Sequence, residues 1–211
     1  MNDLEFTLKY LETLKNKLSG LNLTKITESD DFQEKQYLDS IFPFENSRTI
    51  DLKNRPLVDV GFGGGFPSLP VCHKYPEMTV IGIEARRKKA DAVNMISQEM
   101  GLNNFKGLHC RLEDILFDRP CLISFKAVGK VREFLGKINP GCEGLKVLFF
   151  KGPSFQELEH GYDSIQGWKL VEEFDYKIGG NSRTFIVYEL EKIPQKNIKN
   201  LVKLSGIISN K

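Results

Sequence analysis

Residues Leu57 to Ser68 read LVDVGFGGGFPS, a short apolar strand that runs into four glycines within five positions. No other stretch of this 211-residue chain restricts the fold as much. A strand that passes at once into residues without Cβ must turn sharply, since glycine takes positive φ at little steric cost. It also leaves room beside the main chain. A tight turn uses only the first property, whereas a ligand lying on the backbone uses both.

The sequence around the glycines alternates. LVDVG is a strand and PSLPVCHKYP a short helix interrupted by prolines. TVIGIEA is a second strand, and RRKKADAVNMISQEMG a helix with Ala90, Val93, Ile96 and Met100 on one face and Gly101 at its end. FKGLHCRLED, CLISFKAV and GLKVLFFKG hold three further strands. WKLVEEFDYKI and RTFIVYEL form a closing pair through the Gly179-Gly180-Asn181 turn. Alternating β and α units predict a largely parallel sheet covered on both faces, here with seven strands and an antiparallel edge.

Ahead of the first strand, Leu4, Leu8, Leu11, Leu14 and Leu18 define one face of an amphipathic helix that stops at Gly20. DDFQEKQYLDSIFPF predicts a second helix, ended by Pro43. The expected organisation is an N-terminal helical cap over residues 1–47, a main domain over 48–191 and a basic tail over 192–211. The tail carries Lys192, Lys196, Lys199, Lys203 and Lys211 with no acid, and Ile198, Leu201, Val202 and Leu204 as an apolar face. A solvated terminal helix is the first reading of it and a phosphate-contacting arm the second.

Composition narrows the class. A formal net charge of +2 neither demands nor excludes a nucleic-acid partner. Cys72, Cys110, Cys121 and Cys142 contain no C-x-x-C pair and read as reduced thiols of a cytoplasmic protein. Cys72-His73 and His109-Cys110 are adjacent, so they lack metal-ligand spacing and no metal is expected. No apolar run reaches the roughly 18 residues of a membrane span, and the N-terminus lacks a leader's apolar segment. The expected protein is a cytoplasmic monomer without a membrane partner.

In doubly wound sheets, ligands bind at the carboxyl ends of strands where strand order reverses, and the first strand-to-helix turn lies there. Gly61, Gly63 and Gly65 would admit a cofactor to the main chain. Glu84 ends the second strand, 19 positions beyond Gly65, where a carboxylate accepts both ribose hydroxyls of an adenosine-containing ligand. A dinucleotide fingerprint from Gly61 would need glycine where Phe66 stands, and from Gly63 it would end in Ser68. DVGFGGG instead keeps Asp59 two residues before the first glycine, which favours S-adenosyl-L-methionine over a dinucleotide.

NLTKI (22–26), KQYLDSI (35–41), DVGFGGGFPSLP (59–70), CRLED (110–114), SFKAV (124–128), FFKG (149–152) and RTFIVYEL (183–190) follow one another here. In that order they resemble the RsmG family, also called GidB. The resemblance covers nearly the whole chain before the tail. It implies an α/β, Rossmann-like S-adenosylmethionine-dependent methyltransferase fold, with a mostly parallel seven-stranded sheet, an antiparallel edge and an N-terminal helical cap. It further implies an enzyme that methylates N7 of a guanine in 16S ribosomal RNA, with that RNA or the small subunit as partner.

By the same resemblance, Gly61 and Phe66 line the methionine and adenosine parts of the cofactor. Leu112 and Glu113 hold the adenine edge, and Lys126 sits at the open side facing cofactor and RNA. The chain departs from the family at Gln36 (commonly histidine), Phe62 (a small hydroxyl residue), Ser68 (glycine) and Lys126 (arginine). Lysine keeps the charge there and loses the bidentate fork. Arg86, Arg87, Lys88, Lys89, Lys126, Lys151 and Arg183 are the candidate RNA contacts. The run at 86–89 opens a helix, where cations oppose the macrodipole, so it favours a phosphate-binding role. N7 carries no proton, and no residue is expected to act as acid, base or nucleophile. The competing expectations are a non-catalytic RNA-binding or assembly factor on the same fold, and a small-molecule methyltransferase.

Overall fold

A computed structural model describes residues 1–194 and 200–209. The main sheet contains β1 (Leu57–Val60), β2 (Val80–Glu84), β3 (Phe105–His109), β5 (Leu122–Lys126), β7 (Lys146–Lys151), β8 (Trp168–Ile178) and β9 (Asn181–Leu190). Its order is β3-β2-β1-β5-β7-β9-β8, parallel as far as β7 and antiparallel for β9 and β8. β1 is central and buried throughout, because helices cover both faces and leave no solvent side for polar residues. Helices α4 (Ser68–Lys74) and α5 (Arg87–Met100) make the first two crossovers. Gly101 ends α5 with φ 71°, the left-handed cap that the sequence predicts.

A second sheet, of order β10-β4-β6, joins β4 (Ile115–Phe117), β6 (Asn139–Pro140) and β10 (Val202–Lys203). Here the tail departs from a solvated helix. β10 pairs with β4, and Leu204 at the start of the closing helix α6 (Leu204–Ser209) is fully buried. Asp118 then accepts from Ser205, at 2.9 Å from its backbone N and 2.6 Å from Oγ. Burying one leucine and satisfying one carboxylate docks this segment onto the domain. Val202 remains exposed, and Lys196, Ile198, Lys199 and Lys211 lie outside the described residues.

The cap consists of α1 (Asp3–Lys17), α2 (Ser29–Phe32), a wide π-helical turn (Gln33–Leu38) and α3 (Asp39–Asn46). Asn2 and Glu5 form a reciprocal capping box on α1. The inward face of α1 is not the whole leucine stripe. Phe6, Tyr10, Thr13 and Leu14 are buried, while Leu4 and Leu8 are 54% and 52% exposed. Two aromatic rings bury more area than two leucines, and they set the rotation of the helix. Phe6 meets Tyr37 at 5.0 Å between centroids, and Tyr10 meets Phe32 at 4.8 Å.

The second cap helix also runs past Pro43, to Asn46. Proline removes one backbone donor there. Burial of Ile41, Pro43 and Phe44 offsets that loss. Ile41 and Phe44 share one continuous core with Leu57 of β1, Leu69 of α4 and Val93 of α5.

Candidate cofactor site

From β1 the chain steps outward to β2 and β3, then crosses back to β5 and β7 on the other side. The crevice between β1 and β5 is therefore the switch point. Gly61 lies just beyond β1, with Ala127 and Val128 just beyond β5. A Cβ on Gly61 would stand 3.3 Å from Val128 Cγ1. Ala127 itself takes φ 56°, a left-handed conformation that costs a non-glycine residue on the order of 1 kcal/mol.

The glycines do different work. Gly61, Gly63 and Gly65 all have positive φ. A Cβ on Gly63 would meet nothing closer than Gly61 O at 3.8 Å, so the space beside it is open. Gly64 is the opposite case. A Cβ there would fall 2.8 Å from Leu23 O and 3.3 Å from the Tyr10 hydroxyl. Tyr10 donates to Gly64 O at 2.7 Å, so the cap rests directly on the loop. One glycine leaves room for a ligand and its neighbour makes room for the cap.

Glu84 closes the site from β2 and is 8% exposed. Its Oε2 accepts from Gly63 N at 3.2 Å, and its Oε1 accepts from Arg86 N at 2.9 Å. A carboxylate offers about four lone-pair positions, so acceptor capacity remains on both oxygens. Spare acceptors beside an open glycine fit the diol of an adenosine ribose.

Asp59 is fully buried under the loop, where it accepts from Ser68 Oγ at 2.6 Å and Ser124 Oγ at 2.8 Å. Burial pushes its carboxyl up to about 6, against the downward pull of these two serines. Ser68, a departure from the family glycine, thus supplies a donor to Asp59. Phe62 fills the space over Gly82, where an added Cβ would come within 2.5 Å of its ring. Gln36 Nε2 donates to Thr24 Oγ1 at 3.4 Å, within the cap.

Leu112 is buried and Glu113 exposed, on the turn (Leu112–Asp114) that follows β3. Glu113 lies 3.8 Å from Lys137. The ring of Phe66 packs against Tyr10 and Phe32, at 5.3 and 5.4 Å, so it belongs to the cap's aromatic cluster.

Arg86, Arg87 and Lys88 are exposed and Lys89 half-buried at the start of α5, and no acid pairs with them among the described residues. The other three cations do have partners. Lys151 is buried, donating to Glu159 Oε1 at 2.6 Å and to Gly129 O at 2.8 Å. Lys126 pairs with Asp39 at 2.9 Å, and Arg183 Nε lies 3.5 Å from the same carboxylate. The structure therefore separates the exposed 86–89 run from three cations held in internal ion pairs. Asp39 and Ser40, the partners of Lys126, are residues that sequence reasoning does not single out. Their one signal is the LDS stretch within KQYLDSI.

A parallel sheet closed by an antiparallel hairpin, with a glycine loop after β1 and an acid ending β2, defines the class of S-adenosylmethionine-dependent methyltransferase folds. A solved SAM-dependent methyltransferase from Aquifex aeolicus shares it, with TM-score 0.54 and 19% identity over 72% of this chain and 92% of that one. The chain belongs to the GidB family, rRNA small subunit methyltransferase G, whose description matches residues 3–186. Among curated relatives, Ribosomal RNA small subunit methyltransferase G of Lactococcus lactis subsp. cremoris (strain SK11) is 30% identical over 199 residues. The protein of the same name from Streptococcus gordonii is 29% identical over 194 residues. Each match covers 87% of this chain and 81% of the relative.

Proposed function

We propose that the chain transfers the methyl group of S-adenosyl-L-methionine to N7 of a guanine in 16S ribosomal RNA. The observation that carries this reading is Glu84, held against the open Gly63 at the switch point of a chain of this family. Bound S-adenosylmethionine supplies an electrophilic methyl on a sulfonium.

In this reading Glu84 takes the ribose hydroxyls. Gly61, Gly63 and Gly65 leave the main chain bare for the rest of the ligand. Leu112 and Glu113 border the adenine, and Lys126 lies at the mouth. Phe66 contributes through its place in the loop, since its ring is taken up by the cap.

The N7 lone pair forms the new bond to carbon while the old bond's electrons leave with sulfur. The guanine ends as a cation and no proton moves. No general base is therefore needed, and catalysis comes from holding the reacting atoms in near-attack geometry. The histidines agree with that. His73 is engaged by the Tyr37 hydroxyl and by Met1 O, while His109 and His160 are exposed. A guanine in RNA exposes N7 fully only when single-stranded or extruded from its stack.

The test offers naked 16S RNA, small subunits and whole ribosomes with labelled donor, and identifies the methylated nucleoside by mass spectrometry. N7-methylguanosine is expected, with single-turnover rates nearly flat across neutral pH. Another methylated base, or none despite donor binding, would sink the assignment.

The exposed run at 86–89 is the RNA surface this reading needs. Replacing its four cations with glutamine should flatten log affinity against log salt by about 0.7 for each single-strand phosphate that is no longer neutralised. Donor affinity should stay close to that of the parent. An unchanged salt slope would return the run to ordinary solvated surface.

A further inference from the structure

An ammonium has three N–H donors. Lys126 directs one to Asp39 Oδ2 and one to Ser40 Oγ, both at 2.9 Å. Both partners come from α3 of the cap, although Lys126 ends strand β5. Ser40 Oγ donates to Gln36 O at 2.6 Å, which turns its lone pairs toward the lysine. Asp39 is 3% exposed, and it also accepts from the Tyr176 hydroxyl at 3.1 Å and faces Arg183 Nε at 3.5 Å. One carboxylate thus joins the cap, the switch point and the β8–β9 hairpin.

We infer that Asp39 is a positioning residue for methyl transfer: with Ser40 it fixes the Lys126 ammonium at the switch point and leaves one N–H for an acceptor oxygen on the donor or the RNA. The inference rests on the methyl-transfer reading above.

The physical basis is the cost of burying a cation. Burial pushes the Lys126 ammonium pKa down, and the Asp39 charge opposes that fall. The other groups facing it are Asp59 from β1, which also favours the charge, and Arg183 from β9, which disfavours it. Phe150 of β7 adds its ring face, 5.7 Å from Nζ, and Ser40 is neutral. Tyr176 of β8 meets the lysine only through Asp39. Without the Asp39 charge, Asp59 alone would have to offset burial and Arg183. The ammonium would then lose its proton at a lower pH than in the parent, and the reaction would slow as pH rises through that point.

The experiment measures single-turnover methylation against pH, together with titration of the Lys126 side chain by nuclear magnetic resonance on isotope-labelled lysine. In Asp39→Asn, Lys126 should titrate at lower pH, and the rate should fall about tenfold per pH unit above that point. Adding Lys126→Arg to Asp39→Asn should abolish the slope, because guanidinium stays charged. Ser40→Ala keeps the carboxylate and guards against simple unfolding; it should lower the rate severalfold with a flat pH profile.

An Asp39→Asn protein with unmoved Lys126 titration and a flat profile would overturn the inference, as would a fully active Ser40→Ala protein. A parent that makes no N7-methylguanosine at any pH would instead overturn the methyl-transfer reading. The lysine titration would still decide whether Asp39 holds the ammonium.

Discussion

Glu84→Ala should lose S-adenosylmethionine affinity by about ten- to 150-fold, the equivalent of about 1.5–3 kcal/mol for hydrogen bonds to a charged group. In the free protein the carboxylate serves two backbone donors, Gly63 N and Arg86 N. Arg86 is the N-cap of α5, so Glu84 also brings negative charge to a helix start that otherwise carries only cations. Its removal should therefore cost stability as well, by about 1 kcal/mol on the scale of a lost cap.

Glu84→Gln separates the two effects. The single amide oxygen can keep only one of the two backbone donors, so the melting temperature should fall less than in Glu84→Ala without returning to that of the parent. The charge facing the ribose is gone, so affinity should still fall. Calorimetry with donor alone and a thermal melt of each variant measure these quantities independently. Unchanged affinity in a folded Glu84→Ala protein would remove Glu84 from the site.

That Glu84 is legible in the sequence while Asp39 is not reflects how each is placed. Glu84 ends a strand whose apolar run is local, and its distance from the glycines is fixed by one crossover helix. Lys126 also stands out, as a charge inside CLISFKAV, but its partner Ser40 lies 86 residues earlier and Tyr176 lies 137 residues beyond Asp39. No periodicity connects such positions, and only the folded cap brings them together. The same limit applies to Arg183, whose charge is visible in the sequence and whose partner Asp39 is not.

The tail and α1 fail for different reasons. β10 is two residues long and pairs with a three-residue strand, too short for an alternating pattern to register. In α1 the leucines are correctly helical in spacing, yet Phe6 and Tyr10 outweigh Leu4 and Leu8 for the inward face. Counting apolar positions equally hides this, because side-chain area decides which stripe is buried.

The two central glycines of the loop should separate folding from binding. In Gly64→Ala the new methyl group would sit 2.8 Å from the backbone oxygen of Leu23, which cannot rotate away as a side chain can. The cap must shift, and the hydrogen bond from Tyr10 to Gly64 O shifts with it. Overpacking of this kind costs about 1–3 kcal/mol, or roughly 2–12 °C in melting temperature for a chain of this size. Gly63→Ala meets no atom nearer than 3.8 Å, so its folding cost is confined to φ 54°, on the order of 1 kcal/mol. In the cofactor reading, however, its methyl group would take up open space beside the loop that the ligand needs. Donor affinity should fall more than about tenfold, a modest free-energy change for one misplaced methyl against a close-fitting ligand. Thermal melts and donor titrations on both variants give the four numbers needed. If Gly63→Ala binds S-adenosylmethionine as tightly as the parent, the glycines serve turning and cap packing alone, and the cofactor does not lie on this loop.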